Sequence, residues 1–152
     1  MAAMKITTPA LIDAIDRGGT FQCIKALLEG GADVNSQGGN FAVTALMLVV
    51  ESITSGRAIH TVYPESMLNM FLAYGADVNI SARFGSTALM YAAYGSRKFR
   101  TVNTVKILLE SGADVKLKEY RGMTALHFSI SSINERECMA TRTITVLIEA
   151  IY

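Results

Sequence analysis

The chain has 152 residues, with 14 Lys and Arg against 13 Asp and Glu, and a formal net charge of +1. Hydrophobic residues make up 51% and charged residues only 18%, a balance that excludes a disordered or acidic-tail protein. The small net charge excludes a whole-molecule basic field for nucleic acid, and the length suffices for a core without disulfide or metal support.

The sequence predicts neither a secretory signal nor a membrane span. Residues 1–19 contain no long apolar core before a cleavage site, and the longest apolar run, residues 45–50, is too short to span a bilayer. Cys23 and Cys138 form no close pair. We therefore expect reduced thiols in a cytoplasmic or nuclear protein that has no membrane partner.

The first predicted unit begins with the string PALIDA at residues 9–14, continues with IKALLE at 24–29, and ends with GADVN at 31–35. Apolar residues recur in it with helical period, which predicts two helices. The glycine of GADVN suits a helix end, where a left-handed residue terminates the last turn. The aspartate after it suits a turn in which its side chain bonds nearby backbone N–H groups.

The same pattern returns further along the chain. GADVN recurs at 75–79 and as GADVK at 112–116, while the string TAL begins at Thr44, Thr87 and Thr124. Each of these threonines is predicted to cap the helix that follows it. Every unit is then a helix, a loop, a second helix, a glycine stop and a turn. Because one such unit cannot bury its apolar faces alone, the units must stack.

The strings TALHFSI and LLESGADV resemble the ankyrin repeat, and the resemblance covers nearly the whole chain. It implies an all-α solenoid of stacked helix-turn-helix units joined by β-turn or hairpin loops. The chain is then a single domain of four repeats, at approximately 7–39, 40–82, 83–119 and 120–152.

Two departures from the family pattern stand out. Met47 and Met90 replace the usual histidine, so only His127 keeps that side chain. The second unit carries an insert at residues 53–63, ending at Pro64 as a predicted first helical residue. This insert is either a second recognition edge or an extension of both helices of its unit. The fourth unit is also stretched, through residues 134–143.

Sequence motifs for catalysis are missing. The chain has no phosphate-binding glycine loop and no HExxH, and its two histidines, His60 and His127, are far apart. The repeated aspartates of GADV occupy identical turn positions, which do not supply the two different environments that acid–base chemistry needs. We predict no enzyme activity, no cofactor and no metal site.

The resemblance implies that a protein partner docks on the concave face and the turn tips. Arginine and aromatic residues, which dominate binding hot spots, are frequent at these positions. A tip aromatic could instead pack on the neighbouring tip without meeting a partner. Ala82 and Glu119 also map to tips, and Ser131 to the inner helices. The predicted partner-binding residues are Phe41, Glu51, Arg83, Phe84, Tyr94, Tyr120 and Arg121.

These observations predict a non-catalytic scaffold for protein–protein interaction. The alternatives are the recognition module of a larger enzyme or ubiquitin-ligase adaptor, and a pathogen-encoded ankyrin protein that modulates host signalling. We expect a monomer. We also expect no nucleic-acid binding, because residues 97–100, the only basic run, are interpreted as a solvated loop, with contact to an acidic protein or a phosphate backbone as the alternative. The resemblance further implies asparaginyl hydroxylation at Asn35 and Asn79, with Lys116 replacing the third asparagine.

Overall fold

The computed structural model describes residues 9–55, 64–95, 100–131 and 138–152. Within these ranges the chain forms eight helices and one short hairpin. In chain order the elements are α1 (Pro9–Asp16), α2 (Phe21–Glu29), β1 (Gln37–Gly38), β2 (Val43–Thr44), α3 (Ala45–Ser55), α4 (Pro64–Ala73), α5 (Ala88–Tyr94), α6 (Arg100–Glu110), α7 (Ala125–Ser131) and α8 (Cys138–Glu149).

The helices are arranged as four stacked pairs. The two helices of each pair pack on each other, α1 on α2, α3 on α4, α5 on α6 and α7 on α8. The first helices of the pairs form an inner row, in which α1 contacts α3, α3 contacts α5 and α5 contacts α7. In the outer row α6 packs on α8. The predicted all-α solenoid is confirmed.

One hydrophobic core runs through the stack, from Leu11 in α1 to Leu147 in α8. Its largest fully buried side chains include Phe71 in α4, Leu46 in α3 and Leu89 in α5, so consecutive pairs contribute to the same interior. Burying a side chain of this size contributes about 1.5–3 kcal/mol, and most of that burial requires the neighbouring pair.

The helix-ending glycines adopt the predicted left-handed conformation. Gly31, Gly75 and Gly112 have φ angles of +87°, +83° and +89°. At Gly75 the backbone N–H donates to the carbonyl of Leu72, and the N–H of Ala76 donates to that of Phe71, each at 3.0 Å. This is a Schellman motif, and a residue with a Cβ would be strained at its glycine.

The aspartates of GADV act as predicted in the turns. Each carboxylate accepts a hydrogen bond from the backbone N–H two residues later, at 2.8–2.9 Å. Such Asx turns fix the direction of the chain as it leaves the outer helix. The donor and acceptor residues are Asn35 with Asp33, Asn79 with Asp77, and Lys116 with Asp114.

The asparagine that closes GADVN connects one unit to the next. Asn35 accepts a hydrogen bond at Oδ1 from the N–H of Asp77 at 2.8 Å and donates from Nδ2 to the carbonyl of Gly75 at 3.2 Å. Asn79 forms the same pair of bonds one unit later, at 2.8 Å and 3.0 Å, with Asp114 and Gly112. The turns are therefore held in register by polar contacts as well as by the core.

The threonine caps follow the prediction only in part. Thr44 Oγ1 accepts from the N–H of Met47 at 3.3 Å, and Thr124 Oγ1 lies 2.8 Å from His127 Nδ1. The prediction for Thr87 is wrong, because its hydroxyl is buried and finds no hydrogen-bond partner among the described residues. Met90 stands where the third unit would carry an imidazole, and a thioether does not replace that contact.

The insert of the second unit lengthens its first helix. Helix α3 has 11 residues, whereas its counterparts α5 and α7 have 7, and Ile53 in its last turn is buried. Residues 53–55 thus extend the first helix only. Helix α4 begins at Pro64 as predicted, but it has 10 residues against 11 in its counterpart α6, so the expected extension of the second helix is wrong. Residues 56–63, including His60, lie outside the described part of the chain, as do residues 97–99 and 134–137.

The orphaned hydroxyl of Thr87 generates a stability prediction. Thr87→Val should leave the free energy of unfolding unchanged or raise it by about 1 kcal/mol, since a buried hydroxyl without a partner is costly. Thr44→Val is the matched control, with the same 2% exposure, and should lower it by about 1 kcal/mol through loss of the cap. Urea denaturation measures both, and equal losses would contradict the assignment.

Candidate protein-binding surface

Tight turns form the tips that link one helix pair to the next. The first tip is the β1–β2 hairpin, in which Gln37 pairs with Thr44. In the second tip the N–H of Ala82 donates to the carbonyl of Ser86 at 2.8 Å, and in the third that of Glu119 donates to Met123 at 3.0 Å. The last two tips therefore close in the same way, and their central residues are presented at the same place in each unit.

Neighbouring tips are joined by backbone hydrogen bonds. The N–H of Arg83 donates to the carbonyl of Phe41 at 2.8 Å, and the N–H of Tyr120 donates to that of Phe84 at 2.9 Å. These bonds resemble the ladder between strands and make the three tips one continuous edge. Side chains on this edge are consequently held at fixed spacing from one unit to the next.

Three aromatic side chains follow this edge and are here called the tip row: Phe41, Phe84 and Tyr120. The Phe41 and Phe84 rings are 6.3 Å apart between centroids, and the Phe84 and Tyr120 rings 5.5 Å, both tilted. The rings remain 60%, 47% and 66% exposed. The rings of neighbouring tips therefore contact each other, yet a large part of their aromatic surface stays exposed to a partner.

Two arginines flank the tip row. The guanidinium of Arg83 lies 5.9 Å from the centroid of Phe84, and that of Arg121 lies 5.0 Å from the centroid of Tyr120. The order Arg-Phe in the second tip becomes Tyr-Arg in the third, which places each cation over the ring beside it in sequence. The edge thus presents aromatic faces together with positive charge.

Two residues mapped to the tips are unavailable to a partner. Ala82 is 7% exposed and Glu119 only 5% exposed. The carboxylate of Glu119 faces its own turn, where it accepts from the N–H of Arg121 at 2.8 Å and of Met123 at 3.3 Å. The prediction that Glu119 lies at a partner-binding tip position is therefore wrong, because its carboxylate binds backbone N–H groups of its own loop.

A cavity of about 420 Å³ opens where the inner helices end. Glu51, Tyr94 and Ser131 line it, and each lies seven residues after the TAL threonine of its unit (51 − 44, 94 − 87, 131 − 124). The cavity is thus formed by one repeat position in three consecutive units. The extra turn of α3 adds Thr54 to its wall.

Gly95 permits a close approach at this cavity. A Cβ atom placed on it would overlap the Cβ of Thr54. Its carbonyl accepts a hydrogen bond at 2.8 Å from the hydroxyl of Thr101 in α6. The end of α5 therefore packs directly on the extra turn of α3, which fixes the width of the cavity.

Tyr91 is an aromatic cavity residue that the sequence analysis missed. It lines the 420 Å³ cavity and also a second one of about 200 Å³, in which Phe128 is in edge-on contact with Tyr94. Burial, and then the negative charge of Glu51, raise the pKa of the Tyr91 phenol. Its position one helical turn before Tyr94 was the available signal, since residues three apart share a helix face.

The predicted site residues therefore form two groups. Phe41, Arg83, Phe84, Tyr120 and Arg121 lie together at the tips. Glu51 and Tyr94 lie together at the cavity. Among the residues that the structure describes, no three His, Cys, Asp or Glu side chains are placed to hold a metal ion, and no helix combines the length and apolar character needed to cross a membrane.

Comparison with known proteins identifies a repeat family. A family model described as ankyrin repeats (3 copies) matches residues 57–141, more than half of the chain. The match begins after α3 and ends within α8, so α1, α2 and α3 precede it, and α1 packs on α3 as the later inner helices pack on each other.

Several curated proteins are similar in sequence. A putative ankyrin repeat protein of Acanthamoeba polyphaga mimivirus is 32% identical over 66% of this chain and 16% of its own length. Protein HOS4 of Saccharomyces cerevisiae is 32% identical over 80% of this chain and 10% of its own. Human ankyrin repeat and SOCS box protein 6 is 33% identical over 74% of this chain and 25% of its own length. The match thus spans a quarter or less of each of these relatives.

The environment of Tyr91 makes stability depend on pH. Above about pH 10, the ordinary pKa of a phenol, the unfolded chain loses this proton before the folded one does, so the free energy of unfolding falls. Below that pH both states keep the proton and the effect disappears. Tyr91→Phe should therefore flatten the decline between about pH 9 and about pH 11, and Glu51→Gln should flatten it in part. Urea denaturation across this range is the measurement, and unchanged slopes would refute the assignment.

Proposed function

The chain belongs to the ankyrin-repeat family, and from this premise we propose that it is a non-catalytic scaffold that binds a protein partner through its tips and concave face. Ankyrin repeats are modules of protein–protein interaction. The observation that carries the proposal is the tip row, because three exposed aromatic rings in a fixed line are a costly surface to leave in water.

The chemistry of the tip row favours one kind of partner segment. Aromatic rings bury large areas at small cost in rotamer entropy, and the guanidinium groups of Arg83 and Arg121 add directional donors. Glu119, the acidic residue of the third tip, is turned inward, so the positive charge there is not neutralised from within its own loop. An extended segment with apolar side chains and carboxylates complements this edge.

A second candidate is the recognition module of a larger protein, of which a ubiquitin-ligase adaptor is one form. It is favoured by the small share of each relative that the chain covers, and by one relative whose name joins ankyrin repeats to a SOCS box. The similarity to a mimivirus protein favours a pathogen-encoded ankyrin protein as the third. All three candidate functions use the same binding surface. They differ in what happens to the partner once it is bound.

We also propose a monomer that resides in the cytoplasm or nucleus. Cys23 is an exposed free thiol, which fits a reducing compartment. Of the eight large apolar side chains exposed among the described residues, four lie in the tip row or beside the cavity (Phe41, Phe84, Tyr120 and Tyr94). We assign these to the partner and not to a second copy of the chain.

Replacing Arg83, Phe84, Tyr120 and Arg121 together with alanine should weaken partner binding by about tenfold or more, because hot-spot aromatic and arginine side chains carry most of the binding energy. Affinity purification with the wild type identifies the partner, and calorimetry measures both affinities. The control replaces Tyr74, Lys106 and Arg142, which are exposed along the outer helices. An affinity within threefold of wild type in the folded tip variant would refute the surface.

We further propose that Asn35 and Asn79 are substrates for an asparaginyl hydroxylase, as the family resemblance implies. After co-expression with such an enzyme, mass spectrometry should find one added oxygen atom at each of the two residues. Lys116, at the equivalent turn position, and the exposed Asn103 of α6 should stay unmodified. Peptides of unchanged mass at both asparagines would overturn this proposal.

A further inference from the structure

The cavity at the ends of the inner helices has a chemistry different from that of the tip row. Its volume of about 420 Å³ lies within the roughly 300–1,000 Å³ typical of small-ligand sites. Two tyrosines, Tyr91 and Tyr94, contribute aromatic surface, and Glu51 contributes a carboxylate. No Lys or Arg lines it among the residues that the structure describes. The described lining of the cavity is therefore aromatic and negative, whereas the tip row is aromatic and positive.

Two further features favour positive charge at this place. Helices α3, α5 and α7 end at Ser55, Tyr94 and Ser131, all of which line the cavity, so it lies beside three helix C-termini, the ends that carry partial negative charge. The charge of Glu51 also acts on the phenol of Tyr91, which places the carboxylate within electrostatic reach of the aromatic wall. A cation in the cavity would interact with all of these groups at once.

An apolar occupant is less favourable. Glu51 is only half exposed, and an apolar side chain that filled the cavity would remove more water from its carboxylate without replacing the lost hydrogen bonds. An ammonium or guanidinium group replaces that water with a charge-assisted hydrogen bond. The methylene stem of such a side chain would lie against the tyrosine rings, as long cationic side chains do at apolar surfaces.

We propose that this cavity binds a basic side chain, lysine or arginine, of the protein partner. Its head group lies at the Glu51 carboxylate, and its stem packs between Tyr91 and Tyr94. This inference rests on the proposed protein-binding function and deepens it, because it adds a basic anchor to the acidic and apolar segment that the tip row favours. Glu51 and Tyr94 then determine specificity at one repeat position.

The test uses small probes that carry the head group and stem alone, n-butylammonium and n-butylguanidinium chloride. Titration of the folded protein followed by amide chemical shifts should give saturable shifts at Tyr91, Tyr94 and Ser131, with a dissociation constant in the millimolar range expected for so few atoms. The neutral n-pentanol and the anionic butyrate should bind at least about fivefold more weakly, since neither offers positive charge to Glu51.

Variants test whether binding of the cationic probes depends on the charge of Glu51. Glu51→Gln keeps the shape of the side chain and should weaken both cationic probes at least about fivefold. Glu110→Gln, an exposed acid on α6, is the matched control and should leave their affinity unchanged. The proposal is overturned if the shifts do not saturate, if n-pentanol binds as tightly as the cations, or if Glu51→Gln binds them as well as wild type does.

This outcome is independent of the tip-row experiment. Loss of cation binding would remove the basic anchor and leave partner capture by the tip row unaffected. If the wild type binds the cations and the tip variant still captures the partner, the tip row is refuted as the binding surface. The cavity proposal is then unaffected. The two failures are therefore distinguishable.

Discussion

Each helix pair of this chain has more apolar surface than it can bury by itself, and the whole structure depends on that excess. Leu46 and Leu89 lie in different pairs and are each almost completely buried, because neighbouring inner helices cover them. Hydrophobic burial is not directional, so by itself it would tolerate small shifts of one helix pair relative to the next. The bonds of Asn35 and Asn79 to the next turn supply the direction, because they require one specific alignment of donors and acceptors.

The alignment of neighbouring units also fixes the positions of the tips at the surface. Since each Asx turn follows a glycine stop and precedes a tip, the position of the tip is fixed by the bonds that fix the turn. The backbone contact from Tyr120 to Phe84 then brings two exposed rings to 5.5 Å. An exposed aromatic edge is costly in water, and here the scaffold holds it in place without covering it. The surface proposed for binding is therefore a direct product of the stacking.

Irregularities in the repeat account for the features that distinguish this protein from an ideal array. The extra turn of α3 brings Thr54 against Gly95 and adds Thr54 to the wall of the cavity. The Thr87 hydroxyl, three residues before Met90, is buried without a partner among the described residues. One irregularity thus contributes to a candidate site and the other lowers stability. Both lie in the inner row, which also carries the proposed cavity contacts Glu51 and Tyr94.

The sequence by itself determined the helical pairs, their glycine stops and their Asx turns, since these depend on local periodicity and on residues such as Gly75 and Asp77 with one strong conformational preference. It also indicated Phe84, Tyr120, Glu51 and Tyr94 as surface candidates. Only the tertiary structure decided that the first two join a row of rings, that Glu51 and Tyr94 share a cavity with Tyr91, and that Glu119 turns inward. Those outcomes depend on distances between units, which local sequence does not encode because packing between pairs sets them.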